Sequence, residues 1–236
     1  MKYELQTIPV WKAYEAEPEC VLCHLEAESE QRNVTFFLGN SIMAPEMRVQ
    51  LNEHGFCRRH FHLLLSGQGK LGYSLALNTH LATLNERFER MERSILRSRG
   101  KAVWKRVGAY VDALRKQEQD CLMCDRMRAN MLNFTYTIAK LYLDEPEFRR
   151  TLSASQGFCF HHLPHVLEMG REVIPAKRQP EWHETIFELQ RQSLDRVRGD
   201  LEAFTWQFDY QTDQQTPEHA KDAVPRAVRR LAGYDG

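Results

Sequence analysis

Six cysteines arranged in two matching sets constrain this chain more than any other feature. Cys20-Val-Leu-Cys23 is followed by Gly55-Phe56-Cys57-Arg58-Arg59-His60, and Cys121-Leu-Met-Cys124 by Gly157-Phe158-Cys159-Phe160-His161-His162. The second CxxC stands 101 positions after the first, and the second GFCxxH 102 positions after the first. Pro45-Glu46, Arg48 and Leu51 recur in the same frame as Pro146-Glu147, Arg149 and Leu152. Recurrence of unrelated residue types at one interval reads as a diverged tandem repeat.

Each repeat carries three thiols and one imidazole, a complete donor set for a tetrahedral zinc ion. A CxxC turn presents two sulfurs together, and CxxH at a helix start puts a sulfur and an imidazole on one face at i and i+3. The glycine before Phe-Cys supplies a backbone turn that other residues resist. The predicted ligands are Cys20, Cys23, Cys57 and His60 in the first repeat and Cys121, Cys124, Cys159 and His162 in the second. His62 and His161 lie beside them, but only His60 and His162 keep the duplicated spacing. His165 lies a further turn on, as an outer contact or simply exposed. Four protein ligands leave no open position for water, so the two zinc ions are expected to be structural. Pairing within each repeat is the expectation; exchange of ligands between repeats stays open, since connectivity is not written in spacing.

The rest of the pattern is helical, giving an all-α expectation of tandem repeats, each stapled by its zinc site and packed as one helical bundle. Tyr73, Leu77, Leu81, Leu84, Phe88, Met91 and Ile95 form one apolar stripe, and Trp104, Val107, Val111 and Leu114 a second. Met127 to Leu141 and Leu194 to Phe208 carry two more. Gly67, Gly69 and Gly72 mark a break before the long helix of the first repeat, and Pro175 and Pro180 the equivalent break in the second. The expected divisions are 1–97 for the first repeat, 98–119 for a connecting helix, 120–208 for the second repeat, and 209–236 for a polar tail with a short helix interrupted by Pro225.

Lys+Arg and Asp+Glu both number 32, so the net charge is zero. That argues against general nucleic-acid binding, which rests on neutralising phosphates. Residues 86–106 are locally basic, but Glu86–Arg90 and Glu89–Arg93 at i, i+4 read as a solvated face. No apolar stretch has the length of a membrane span or of a signal-peptide core. The expected compartment is the cytoplasm, where thiols stay reduced and cysteine pairs serve metal or redox chemistry.

The segments TIPVWKAYEAEPECVLC, MAPEMRVQLNEHGFCRRHF, LGYSLALNTHL and FTWQFDY resemble the domain-of-unknown-function family numbered 6062, from about Tyr3 to Gly233. The resemblance implies the same eight ligands and brings no established activity. The function expected is therefore a non-enzymatic module that binds another protein, without nucleic acid or membrane. A zinc-dependent thiol redox sensor is the alternative, with the first repeat the more readily oxidised because Arg58 and Arg59 flank Cys57. An enzyme with a site near His80 is a third reading, against which His80 at the edge of an apolar stripe reads as a buried structural histidine.

Overall fold

The computed structural model describes residues 2–208 and 217–233, and every regular element among them is a helix. The order is α1 (Lys2–Glu15), α2 (Val21–Leu38), α3 (Pro45–His54), α4 (Arg58–Ser66), α5 (Lys70–Leu96), α6 (Lys101–Gln119), α7 (Leu122–Asp144), α8 (Pro146–Ala154), α9 (Leu163–Val173), α10 (Gln179–Thr205) and α11 (Ala223–Ala232). A helix opens on each CxxC, a short one follows each Pro-Glu, another follows each GFCxxH, and a 27-residue helix ends each series. The expected breaks lie where Gly69 (φ 88°) precedes α5 and where Pro180 occupies the first turn of α10. Proline fits there because the first turn needs no N–H from it. The same reason removes the interruption expected at Pro225, which sits in the first turn of a continuous α11. Residues 209–216 and 234–236 of the expected tail lie outside the described residues.

The chain forms two compact units that cut across the repeats: a split unit of Met1–Glu28 with Asn130–Gly236, and a continuous unit of Ser29–Ala129. Both crossings fall inside helices, α2 and α7.

The split unit is built around Trp182 of α10, which is fully buried edge-on to Tyr142 of α7. Gly170 of α9 lies against the indole so closely that any side chain there would collide with it. Val10 and Tyr14 of α1, Leu25 of α2 and Phe148 of α8 complete one core cluster with them, and Phe148 meets Trp11 and Tyr14 edge-on. α11 packs on α10.

The continuous unit buries Phe37 of α2, Leu51 of α3, Leu64 of α4, Tyr73 and Ala76 of α5, and Met123 and Met127 of α7. Phe37, Phe56 and Phe61 make successive edge-to-face contacts. Only the first part of α5 is buried. Leu81 and Phe88, expected in the apolar stripe, are exposed, and none of α6 is buried. The later part of α5 pairs with α6, with Phe88 against Tyr110.

Candidate metal centres

Each CxxC straddles a helix start. Cys20 and Cys121 immediately precede α2 and α7, and Cys23 and Cys124 fall in their first turns. Backbone N–H groups that have no helical partner, and the positive end of the helix dipole, favour thiolates at such positions. The Cys124 amide donates to Cys121 Sγ at 3.4 Å. Gly55 (φ 73°) and Gly157 (φ 82°) adopt the left-handed turn expected before each Phe-Cys. In the continuous unit Cys57 caps α4 and His60 lies in its first turn. In the split unit α9 opens only at Leu163, with Pro164 in its first turn; a tight turn through residues 160–162 keeps Cys159 and His162 three residues apart on one side.

All eight sequence-predicted residues converge, but the pairing is exchanged. Cys20 and Cys23 meet Cys159 and His162, while Cys57 and His60 meet Cys121 and Cys124, each set with its ligand atoms within 4.8 Å of one another. The expectation of pairing within each repeat is therefore corrected. The reason lies in α2 and α7. An α-helix rises 1.5 Å per residue, so the 18 residues of α2 carry the chain about 27 Å beyond the first CxxC before any GFCxxH follows. α7 does the same after the second CxxC, and each repeat's two motifs end in different units.

The separations fit one tetrahedral ion in each set. Bonds of about 2.3 Å to sulfur and about 2.0–2.1 Å to nitrogen put ligands about 3.8 Å apart sulfur to sulfur and about 3.6 Å sulfur to nitrogen. In the split unit Cys23 Sγ lies 3.5 Å from Cys159 Sγ, and His162 Nδ1 lies 3.7, 3.4 and 3.3 Å from the sulfurs of Cys20, Cys23 and Cys159. In the continuous unit Cys57 Sγ lies 3.8 Å from Cys124 Sγ, and His60 Nδ1 lies 3.2, 3.2 and 3.3 Å from the sulfurs of Cys57, Cys121 and Cys124. All six thiols are free of disulfides. The split set is fully buried, whereas Cys57 and Cys124 are half-buried.

Without an ion, each set shares protons unequally. Burial lowers the affinity of the His60 ring for its proton, but Cys121 and Glu30 outweigh it and the ring is pushed up to about 9. Burial likewise opposes ionisation of Cys121, yet His60 and the neighbouring backbone bring that thiol down to about 6. Burial and the Cys121 thiolate push Cys124 up. In the split unit, hydrogen bonds from Cys20 and Cys23 hold Cys159 low, and those to Cys159 and Cys20 drive Cys23 up.

Both histidines turn Nδ1 to the sulfurs and Nε2 to a carboxylate that sequence reasoning missed. Glu30 lies 3.1 Å from His60 Nε2, and Glu26 lies 3.4 Å from His162 Nε2. Such a contact fixes the tautomer and orients the ring toward an ion. Glu30 is also gripped by Arg59 at 2.5 and 2.9 Å, and its contacts with His60 and then Arg59 hold its carboxyl below the usual range despite burial. Arg59 is thus engaged by Glu30 instead of serving mainly to activate Cys57. The duplication hid these carboxylates, because both lie on α2 and the equivalent positions of α7 are Met127 and Met131.

Arg230 of α11 was also missed. Its buried guanidinium donates to the Glu19 carbonyl at 2.7 Å and the Gln156 carbonyl at 2.8 Å, and the Phe160 amide donates to the Arg230 carbonyl. α11 thereby ties together the two segments that carry the split-unit ligands. Gly233, the residue that ends α11, comes so near the centre that a Cβ there would stand 3.6 Å from Cys159 Sγ and 3.7 Å from Cys23 Sγ. His80 is buried beside Phe61, and burial, then Arg87, lowers its proton affinity.

Fold and site define an all-helical protein with two buried or half-buried Cys3His groups able to hold metal ions. The chain belongs to DUF6062, a family of unknown function, whose model matches residues 1–235. No curated protein and no solved structure matches it. No described helix is long and apolar enough to cross a membrane.

Proposed function

We propose that the protein is a zinc-stapled helical scaffold whose α5–α6 hairpin docks an acidic protein partner, in the thiol-reducing cytoplasm. Three soft thiolates with one imidazole favour zinc, and four donor atoms within 4.8 Å leave room for one ion and not for an iron–sulfide cluster. Each closed set would hold distant chain segments together and perform no chemistry.

The observation that carries the docking role is the uncovered face of α6. Trp104 is 77% exposed and Leu96, across the turn, 75%, with Phe88, Val111 and Leu114 also open to solvent. Exposed aromatic and aliphatic side chains grouped together mark interaction surfaces. The basic run expected to pair with itself does so in part: Arg90 meets Glu86 and Arg93 meets Glu89. Arg97, Arg99, Lys101 and Lys105 lie in or beside the turn between α5 and α6, close in sequence to Leu96 and Trp104, and form no ion pair among the described residues. Exposed apolar side chains and unpaired cations on one hairpin complement an apolar segment flanked by Asp and Glu.

A photo-crosslinker placed at Val103, used in the native host, should trap one such protein. Trp104→Ala combined with Lys101→Glu and Lys105→Glu should weaken the purified pair at least tenfold while zinc content and helicity stay unchanged. A trapped protein that binds this variant as well as the wild type would refute the docking surface, as would capture of nucleic acid in its place. Metal analysis showing folded, reduced protein without zinc would refute the stapling.

A further inference from the structure

We propose that Glu26, His161 and His165 form a third, hydrated and exchangeable divalent-cation site on the outer side of the split-unit centre. His162 divides the two sites. Its Nδ1 faces the three sulfurs, and its Nε2 meets Glu26, which is 30% exposed on its outer edge. The ligand atoms of Glu26, His161 and His162 all lie within 4.8 Å of one another. His162 cannot serve both ions as a neutral imidazole, because the nitrogen facing Glu26 carries its proton once the other is engaged.

His165 supplies the missing donor. It lies four residues beyond His161, in the first turn of α9; both side chains are exposed, and neither makes a hydrogen bond or ion pair among the described residues. The His165 ring centre stands 6.1 Å from that of His161 and 6.3 Å from that of His162. Two imidazoles on one tetrahedral ion have ring centres about 5 Å apart. The observed separation from His161 exceeds that by about 1 Å, and both rings are exposed, so each is free to turn about its side-chain bonds.

The donor chemistry selects the metal. Two imidazoles and one carboxylate suit zinc, nickel, cobalt or copper, whereas calcium and magnesium prefer oxygen donors. Three protein ligands leave one or more positions to water. The ion would therefore exchange with solvent, unlike one enclosed by Cys20, Cys23, Cys159 and His162. The proposal stands apart from hairpin docking and rests only on His162 turning Nδ1 toward the sulfurs.

The test uses tag-free full-length protein treated briefly with a weak chelator, then titrated with Ni2+ by calorimetry. One further equivalent is expected beyond the tightly held ions. His161→Gln and His165→Gln should each weaken it at least tenfold, and neither should change the tightly held metal. Added Co2+ at the new site should give ligand-field absorption without the thiolate charge-transfer band that the buried sets produce. No additional equivalent, or one undiminished in the double variant His161→Gln/His165→Gln, would overturn the site. Fewer than two tightly held ions at the outset would instead count against the buried sets, with the comparison of wild type and variants still deciding the third.

Discussion

Pairs of cysteine substitutions convert the exchanged ligand pairing into whole-number metal stoichiometry. Cys20→Ser and Cys159→Ser each remove a thiolate from the same set, so the double variant should retain one zinc ion, as either single variant does. Cys57→Ser with Cys121→Ser should also retain one. Cys20→Ser with Cys57→Ser touches both sets and should leave none. Pairing within each repeat reverses this pattern, with the first double variant losing both ions and the last keeping one. The cost of each loss follows from chain closure. An ion in the split unit would join Cys23 to Cys159 across 136 positions, and one in the continuous unit would join Cys57 to Cys124 across 67. In the chain-entropy treatment of cross-links, loops of these lengths are worth about 4 to 5 kcal/mol each. The inner closure shortens the outer loop, which brings the two values together. Against a typical stability of about 5–15 kcal/mol, losing one ion removes a large share. For a chain of this size that corresponds to a fall in Tm of about 8–20 °C. Elemental analysis of size-fractionated protein gives the ion count and thermal unfolding the cost. Retention of one ion by the Cys20→Ser/Cys57→Ser variant would refute the exchanged pairing.

Three further outcomes are expected. Glu30→Gln should weaken metal binding at the continuous unit by about 10–100-fold, the usual effect of removing a carboxylate behind a ligating histidine, and a chelator competition that shows no change would remove Glu30 from that role. Peroxide should release the continuous-unit ion first, because Cys57 and Cys124 are half-buried while Cys20, Cys23 and Cys159 are buried; this replaces the expectation that the first repeat is oxidised as a set, and mass spectrometry showing Cys20 and Cys23 modified before Cys57 and Cys124 would contradict it. Arg230→Ala should destabilise the split unit by about 1–3 kcal/mol, since it removes the donor that bridges the Glu19 and Gln156 carbonyls while the Glu19 carboxylate keeps Arg196, and an unchanged thermal transition would show that α11 does not tie the ligand segments.

The sequence by itself determined the helical class, the eight residues that converge and the glycine turns before each Phe-Cys. These are local matters: periodicity selects a helix, CxxC and CxxH group donors within one turn, and a positive φ demands glycine wherever the chain goes. Which motif meets which is not local. Closure within each repeat is the expectation, but the 34 and 35 positions between CxxC and CxxH include a stiff helix whose ends cannot meet. The same limit hid Glu30 and Arg230. Glu30 reaches a histidine 30 positions away and has no counterpart in the second repeat, while Arg230 reaches Glu19 across 211 positions. It also made the stripe of α5 look buried throughout, because an apolar period records a face but not whether another element covers it. Leu81 and Phe88 keep that period and are exposed, since among the described residues the later part of α5 is accompanied chiefly by α6, and a single helix cannot enclose another.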